Sequence, residues 1–268
     1  MTTAGDRDPH DVAQHGFAYR FDWGFDGLMN LAGHCDVIVV VDVLRFSTAV
    51  CAAVEAGASV LPFAWRDERA PAFADARGAV LAGRREDGVP SLSPTDLLAL
   101  RSGVRLVLPS PNGATLAVEA AAHGVPFVLA GCLRNATATA RRALILAHGG
   151  AIGVIAAGER RLDADAGATS GGQPAVVRFA IEDLVGAGAV LHALDPAGSV
   201  GAPCCSPEAR AARAAFLDAR PSLHAVLADG GSGRELARRG AADDVATSAV
   251  LDATGLAAQL ADGAFVGV

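Results

Sequence analysis

DVIVVVDVLRFSTAVCAA, residues 36–53, carries the clearest fold signal in the chain. Five consecutive apolar residues, Val37 to Val41, run into Asp42, and Arg45, Ser47 and Thr48 follow before a small-residue segment. An uninterrupted apolar run rich in β-branched residues suits a strand buried on both faces of a parallel sheet. The small-residue segment reads as the helix that covers it. Asp42 then falls at the strand's C-terminal end, where open α/β sheets place their sites. Ser47 and Thr48 are placed to cap the helix, whose first-turn N–H groups would suit an anion. Alternatively, Asp42 and Arg45 simply pair with each other and cap.

Composition narrows the classes of function. A chain of 268 residues can bury a large core. It reads as a flexible segment over residues 1–16 and one α/β unit over 17–268, with a possible subdivision near residue 200. The chain contains no lysine, which excludes Schiff-base chemistry, a Walker-type lysine and a Ser-Lys nucleophile. A formal charge of −7 without a basic run argues against a nucleic-acid surface, so any anionic ligand must be held locally. No signal peptide and no membrane-length apolar segment is expected. The five cysteines have no metal-ligand spacing and fit a reducing cytoplasm. The scattered histidines lack HxH or HExxH spacing, which makes zinc a poor fit.

Beyond this first stretch, the same unit recurs. Apolar strands are expected at 17–24, 57–62, 79–82, 105–108, 126–130 and 152–156, and helices follow most of them. Three further strand ends run into small polar loops: Ser110-Pro111-Asn112-Gly113-Ala114-Thr115, Gly131-Cys132-Leu133-Arg134-Asn135, and Ala157-Gly158-Glu159-Arg160. Asn112-Gly113 alone is a turn and Asn135 alone a cap; their recurrence at equivalent places implies convergence on one site. The architecture expected is α/β, with a largely parallel or mixed sheet flanked by helices. Residues 162–172 read as a long loop or lid. No loop carries a dinucleotide fingerprint.

A second acidic feature lies further on. Glu182 and Asp183 are adjacent in an otherwise apolar helical segment that runs to Leu194. Buried carboxylates are costly unless paired or metal-bound, and successive helical residues diverge by about 100°. One of the two is therefore expected to be functional, with Asp183 preferred. In the C-terminal third, helices are expected from Ser206, Ser232 and Ala241, and Arg234 is able to reach an anion.

The motifs VVVDVLRFSTAV (39–50), SPNGAT (110–115), GCLRNA (131–136), AAGER (156–160), RFAIEDLVGAGAV (178–190), SPEARAA (206–212) and SGRELARRGAADDV (232–245) occur in one order along the chain. Together they resemble the 2-phosphosulfolactate phosphatase (ComB-like) family. The resemblance implies a soluble magnesium-dependent hydrolase that converts 2-phosphosulfolactate into sulfolactate and phosphate, in the route to coenzyme M. It places the family's polar positions on Asp42, Arg45, Asn112, Thr115, Asn135, Glu159, Glu182 and Asp183. The chain departs from the pattern at Gly83-Arg84-Arg85-Glu86 and at Pro111-Asn112-Gly113-Ala114-Thr115.

On this reading Mg²⁺ is held by Asp42 with Glu159, Glu182 or Asp183. Arg45 and Arg160 grip phosphoryl oxygens, N–H groups around Gly113 and Thr115 add donors, and Arg234 faces the remaining acid groups. Asp42, Arg45, Asn112, Asn135 and Asp183 are the catalytic candidates. Activated water is preferred to attack by Asp42, because the DxDx(T/V) context of aspartyl-phosphate enzymes is missing. The alternatives are a phosphatase for another small anionic ester and a non-catalytic small-anion binding protein. The partner expected is a small phosphorylated anion, with no nucleic acid and no membrane; a homodimer is possible through the Ala/Gly-rich helices.

Overall fold

The computed structural model describes residues 12–64, 68–160, 177–198 and 204–268. The expected lid at 162–172 lies outside these residues. Eleven strands are present among them: β1 (Tyr19–Trp23), β2 (Val37–Val41), β3 (Ser59–Phe63), β4 (Val80–Leu81), β5 (Arg105–Pro109), β6 (Phe127–Gly131), β7 (Ile152–Ala156), β8 (Glu159–Arg160), β9 (Val177–Arg178), β10 (Ala258–Ala261) and β11 (Ala264–Gly267). Nine of them form one mixed sheet in the order β1-β7-β2-β6-β10-β11-β3-β5-β4, and β8 pairs with β9 apart from it. The expected α/β architecture with a mixed sheet is what forms.

The strand of the opening stretch is β2, at the heart of the first parallel block. Its five residues are fully buried, and it pairs in parallel with β6 on one side and β7 on the other. Each such Val or Ile contributes about 1.5–3 kcal/mol by leaving water. A second parallel block joins β3, β5 and β4.

Between the blocks lies an element that helix and strand periodicities leave unassigned. Strands β10 and β11 form a hairpin across Asp262-Gly263, both of which have positive φ (49° and 78°). Asp-Gly supplies the two left-handed residues that such a turn demands. The hairpin is antiparallel to β6 on one side and to β3 on the other. The second block consequently runs opposite to the first. Five strand steps separate β2 from β5, and at roughly 20–25° each the sheet twist rotates β5 by about 100–125° relative to β2. That rotation brings the C-terminal end of β5 back toward that of β2.

The helix after β2, α1 being Gly24–Ala32, is α2 (Phe46–Glu55); residues 46–54 are all buried. A helix apolar on every side belongs inside a core, and α2 lies against β3, β6, β10 and β11 at the sheet's antiparallel centre. Its expected caps differ from those observed. Ser47 Oγ accepts the Asp42 N–H and donates to the Val40 carbonyl, while Thr48 Oγ donates to the Val43 carbonyl. Both hydroxyls tie the helix to the strand end, and neither caps its N-terminus.

The remaining helices are α3 (Arg69–Asp75), α4 (Pro94–Leu97), α5 (Gly113–Ala122), α6 (Ala136–Ala147), α7 (Ile181–Leu194), α8 (Pro207–Ala219), α9 (Leu223–Asp229), α10 (Gly231–Arg238) and α11 (Ala242–Ser248). The core beside β2, β6 and β7 draws on α6 to α9 and on Leu236 and Val245, so residues on both sides of position 200 share it. No helix among the described residues is long and apolar enough to cross a membrane.

Helix α7 fits into this core through two glycines. A Cβ on Gly186 would lie 2.5 Å from Val43 Cγ2, and one on Gly188 would lie 2.1 Å from the Ala212 carbonyl oxygen of α8. Two helical positions apart, they face nearly opposite sides. In an exposed helix Gly→Ala would stabilise by about 1 kcal/mol. Here overpacking against backbone reverses the sign, so Gly188→Ala should cost about 1–3 kcal/mol, read as a lower denaturant midpoint. An unchanged or higher midpoint would refute the close α7–α8 contact.

Candidate active site

Asp42 leaves the end of β2 and is only 6% exposed. Its Oδ1 accepts the Phe46 N–H at 3.1 Å, and its Oδ2 accepts the Gly113 N–H at 2.9 Å. These are the first residues of α2 and α5, so one carboxylate joins the N-termini of two helices. Both are favoured positions for negative charge. Gly113 is required by proximity: a Cβ there would lie 2.8 Å from Asp42 Oδ2. Burial nevertheless dominates and pushes Asp42 up to about 6, while the two N–H donors pull it down and Glu182 pushes it further up.

Asp183, in the first turn of α7, plays a related part. Its Oδ1 accepts the Val43 N–H at 2.7 Å and its Oδ2 the Gly158 N–H at 2.9 Å. It thereby fastens the chain beyond β2 to the chain beyond β7. Burial first, then the charges of Asp42 and Glu182, hold it well above the ordinary carboxylate range. Its neighbour Glu182 is 2% exposed, and Glu182 Oε2 has no hydrogen-bond partner among the described residues. Glu159 in β8 is raised mainly by burial and then by Asp42, and its Oε2 accepts Asn112 Nδ2–H at 3.3 Å.

A cavity of about 450 Å³ opens over these strand ends. Its lining includes Asp42, Arg45, Ser110, Asn112, Glu159 and Arg178, together with one face of α10. Arg45 does not pair with Asp42. Its Nη1 donates to Asp244 Oδ2 at 2.7 Å, and Asp244 is fully buried and also accepts the Ser93 hydroxyl. The C-terminal helices therefore hold Arg45 in place at the rim.

The expected site residues fall into three groups. Asp42, Arg45, Asn112 and Glu159 line the cavity, with Gly113 directly behind Asp42. Asp183 and Glu182 are buried beneath and do not line it. Thr115, Asn135 and Arg234 lie elsewhere. Thr115 Oγ donates to the Ala64 carbonyl, Asn135 closes the β6 turn through the Cys132 N–H and the Ala130 carbonyl, and Arg234 is exposed. The side chain of Arg160 is not among the described features.

Sequence reasoning did not single out Ser232 and Glu235 of α10 with Arg239 just past its end, or Arg178 and Asp244. A signal existed for the first set, because 232, 235, 236 and 239 follow the one-face helical spacing. Among the described residues no cluster of three or more His, Cys, Asp or Glu is arranged to hold a metal ion. A cation held by one or two carboxylates and its own waters, the habit of Mg²⁺, fits better than a protein cage. The orphaned Glu182 oxygen is consistent with a positive charge in that region.

The raised Asp42 gives a direct test. A carboxyl whose folded value lies above its unfolded value of 3.8 favours folding most below pH 4, and that contribution is lost as the pH rises through 6. Asn does not titrate. In EDTA, the stability of Asp42→Asn relative to the parent should therefore improve by on the order of 3 kcal/mol between pH 4 and pH 7. A pH-independent difference in unfolding free energy would rule this out.

The family profile described as 2-phosphosulpholactate phosphatase matches residues 28–263. A protein of Thermus thermophilus named "Probable 2-phosphosulfolactate phosphatase" is 39% identical over 117 residues. That alignment covers 42% of this chain and 49% of the relative, so the match spans about half of the relative's length. With the profile running through every strand of the main sheet except β1 and part of the closing hairpin, the chain belongs to the 2-phosphosulpholactate phosphatase family.

Proposed function

We propose that the chain is a phosphomonoester hydrolase acting on 2-phosphosulfolactate, with sulfolactate and phosphate as products and Mg²⁺ as cofactor. The observation that carries this reading is the Asp42 carboxylate, fixed between two helix N-termini on the wall of a cavity that arginines rim. Asp42 and Glu159 present carboxylate oxygens to that cavity and would hold the cation, with the unpartnered Oε2 of Glu182 close by. The cation would supply positive charge to the phosphoryl oxygens and acidify a bound water.

The chain's own groups bind and orient. Arg45 has one guanidinium nitrogen fixed by Asp244, which leaves the rest of its fork for two phosphoryl oxygens. The Gly113 and Phe46 N–H groups hold the Asp42 carboxylate in one orientation. Each Asp42 oxygen keeps a second lone pair for a ligand. Asn112 Nδ2–H sets Glu159, and Asp183 secures the two strand ends that carry Asp42 and Glu159. Water adds to phosphorus, the bond from phosphorus to the ester oxygen breaks, and the water's proton ends on the departing alcohol.

The test is phosphate release from 2-phosphosulfolactate in Mg²⁺ and in EDTA, beside phospholactate and p-nitrophenyl phosphate. Turnover should require Mg²⁺ and fall about 100-fold or more in Asp42→Asn. Turnover that survives EDTA would remove the cation from the reading. Turnover of the simpler esters alone would remove the sulfonate substrate, and no turnover at all would leave only anion binding.

A further inference from the structure

A second cavity, of about 350 Å³, lies away from the strand ends and shares no described lining residue with the first. Three helices build it, each through one face. Ala189, His192, Ala193 and Pro196 follow the spacing that aligns residues along α7 and its exit. Thr137 and Arg141 are one turn apart on α6, and Phe216 and Arg220 one turn apart at the end of α8. Leu251 and Asp252 close the remaining side. His192 lies nine residues beyond Asp183 on the same helix, roughly 14 Å along its axis.

The lining joins an apolar floor to a cationic rim. Alanines of α6 and α7, Leu251 and the Phe216 ring supply the floor, and the His192 ring rests against Phe216 with centroids 5.6 Å apart. Arg141 and Arg220 are both exposed and take part in no ion pair among the described residues. Asp252, the one carboxylate of the described lining, is already engaged: its Oδ1 accepts the Thr137 N–H at 2.8 Å and its Oδ2 the Thr137 hydroxyl at 2.7 Å. Behind the rim, Arg213 Nη2 donates to the Pro196 carbonyl at 3.1 Å.

Helix ends account for part of this charge. His192 sits in the last turn of α7 and Arg220 at the C-cap of α8, where positive charge is favoured. Arg141, in the second turn of α6, has no such role. A helix end alone would also favour protonation of His192. Instead burial first, and then the charges of Arg213 and Arg220, hold His192 below the ordinary histidine value, with Asp195 opposing. More positive charge gathers here than the helix ends call for. A concave, partly apolar site with a few convergent polar groups, near the lower end of the roughly 300–1,000 Å³ typical of ligand pockets, is what a small ligand requires.

We propose that this three-helix cavity binds a small organic anion, a carboxylate carried on an apolar body about the size of one ring, with Arg141 and Arg220 holding the carboxylate and the Phe216 side receiving the body. Guanidinium forks match a carboxylate edge to edge. The site is independent of the phosphatase reading and of the cavity that contains Asp42.

The experiment is calorimetric titration of the full-length chain with benzoate, benzamidine and inorganic phosphate. Benzamidine keeps the ring and reverses the charge, and phosphate keeps the charge without the ring. Benzoate should bind and benzamidine should not. Arg141→Ala and Arg220→Ala should each weaken benzoate about 10-fold and change phosphate by less than about 2-fold. Arg45→Ala should leave benzoate within about 2-fold. Both arginines of the rim are exposed, so the Tm of each variant should stay within about 2 °C of the parent. The second readout is the imidazole NMR signal of His192, identified by its loss in His192→Gln. Its titration midpoint should rise when benzoate is bound, because a carboxylate then offsets Arg141, Arg213 and Arg220, adding to Asp195 and Asp252.

Absence of benzoate binding, equal binding of benzamidine, or an affinity unchanged by either arginine substitution would overturn the site. Benzoate weakened by Arg45→Ala would put the ligand in the first cavity and overturn it as well, as would a His192 midpoint that bound benzoate does not move. Benzoate held through Arg220 in a chain that hydrolyses no phosphate ester would keep this site while the phosphatase reading falls.

Discussion

The fold and the site meet in one interaction, the Asp42 carboxylate shared between the first N–H groups of α2 and α5. Helix α2 continues directly from β2, but α5 arrives from β5 in the oppositely running block. A single side chain therefore fixes how the two halves of the sheet sit at their common edge. Asp183 repeats the device on the other side, joining the residues after β2 and β7. A side chain that terminates two elements at once cannot move without moving both. Positions beside it inherit its rigidity, among them Asn112 one residue before Gly113 and Glu159 one residue after Gly158.

That arrangement has an electrostatic cost that a purely structural device would avoid. Asp42, Glu182 and Asp183 are all at least nine-tenths buried, and Glu159 lies close by. Asp42, Glu159 and Asp183 are each pushed above the ordinary carboxylate value, first by burial. Backbone donors offset only part of this. An apolar substitute of similar shape would often stabilise a buried charge site. The surplus of negative charge makes sense when a cation and a phosphoryl group complete the site, which supports a catalytic reading over capping alone.

Much of the fold was legible in the sequence, because its strongest signals are local. The β-branched run of β2, the strand Ile152–Ala156 and the helix Ala136–Ala147 follow directly from apolar periodicity. The hairpin β10–β11 was harder: its strands are four residues each and half-exposed, and only Asp262-Gly263 announces it. Its effect on topology, the reversal of the second block, is a matter of pairing that no local pattern records. At the site, the strand-end positions Asp42, Asn112 and Glu159 were legible because they recur at equivalent places. Asn135 and Thr115 share that pattern but spend their hydrogen bonds on neighbouring backbone. Asp244 was hidden for another reason. Beside Asp243 it looks like ordinary helix-start acidity, and only the tertiary fold buries it against Arg45.

A chain of net charge −7 whose proposed substrate is a multiply charged anion raises a last physical question. At physiological ionic strength, fields from exposed charges fade over about 8 Å, so distant surface carboxylates count for little inside the cavity. What counts is the sign of the groups within reach, and both signs are present. Asp42 and Glu159 stand at the strand ends, Arg45 is fixed at the rim, Arg178 lies opposite Glu159 in the β8–β9 pair, and the α10 side carries Glu235 as well as Arg239. The lack of lysine suits such a site: a guanidinium fixed at one edge by Asp244, as Arg45 is, leaves a second edge for an anionic ligand, which a point-charge ammonium cannot offer.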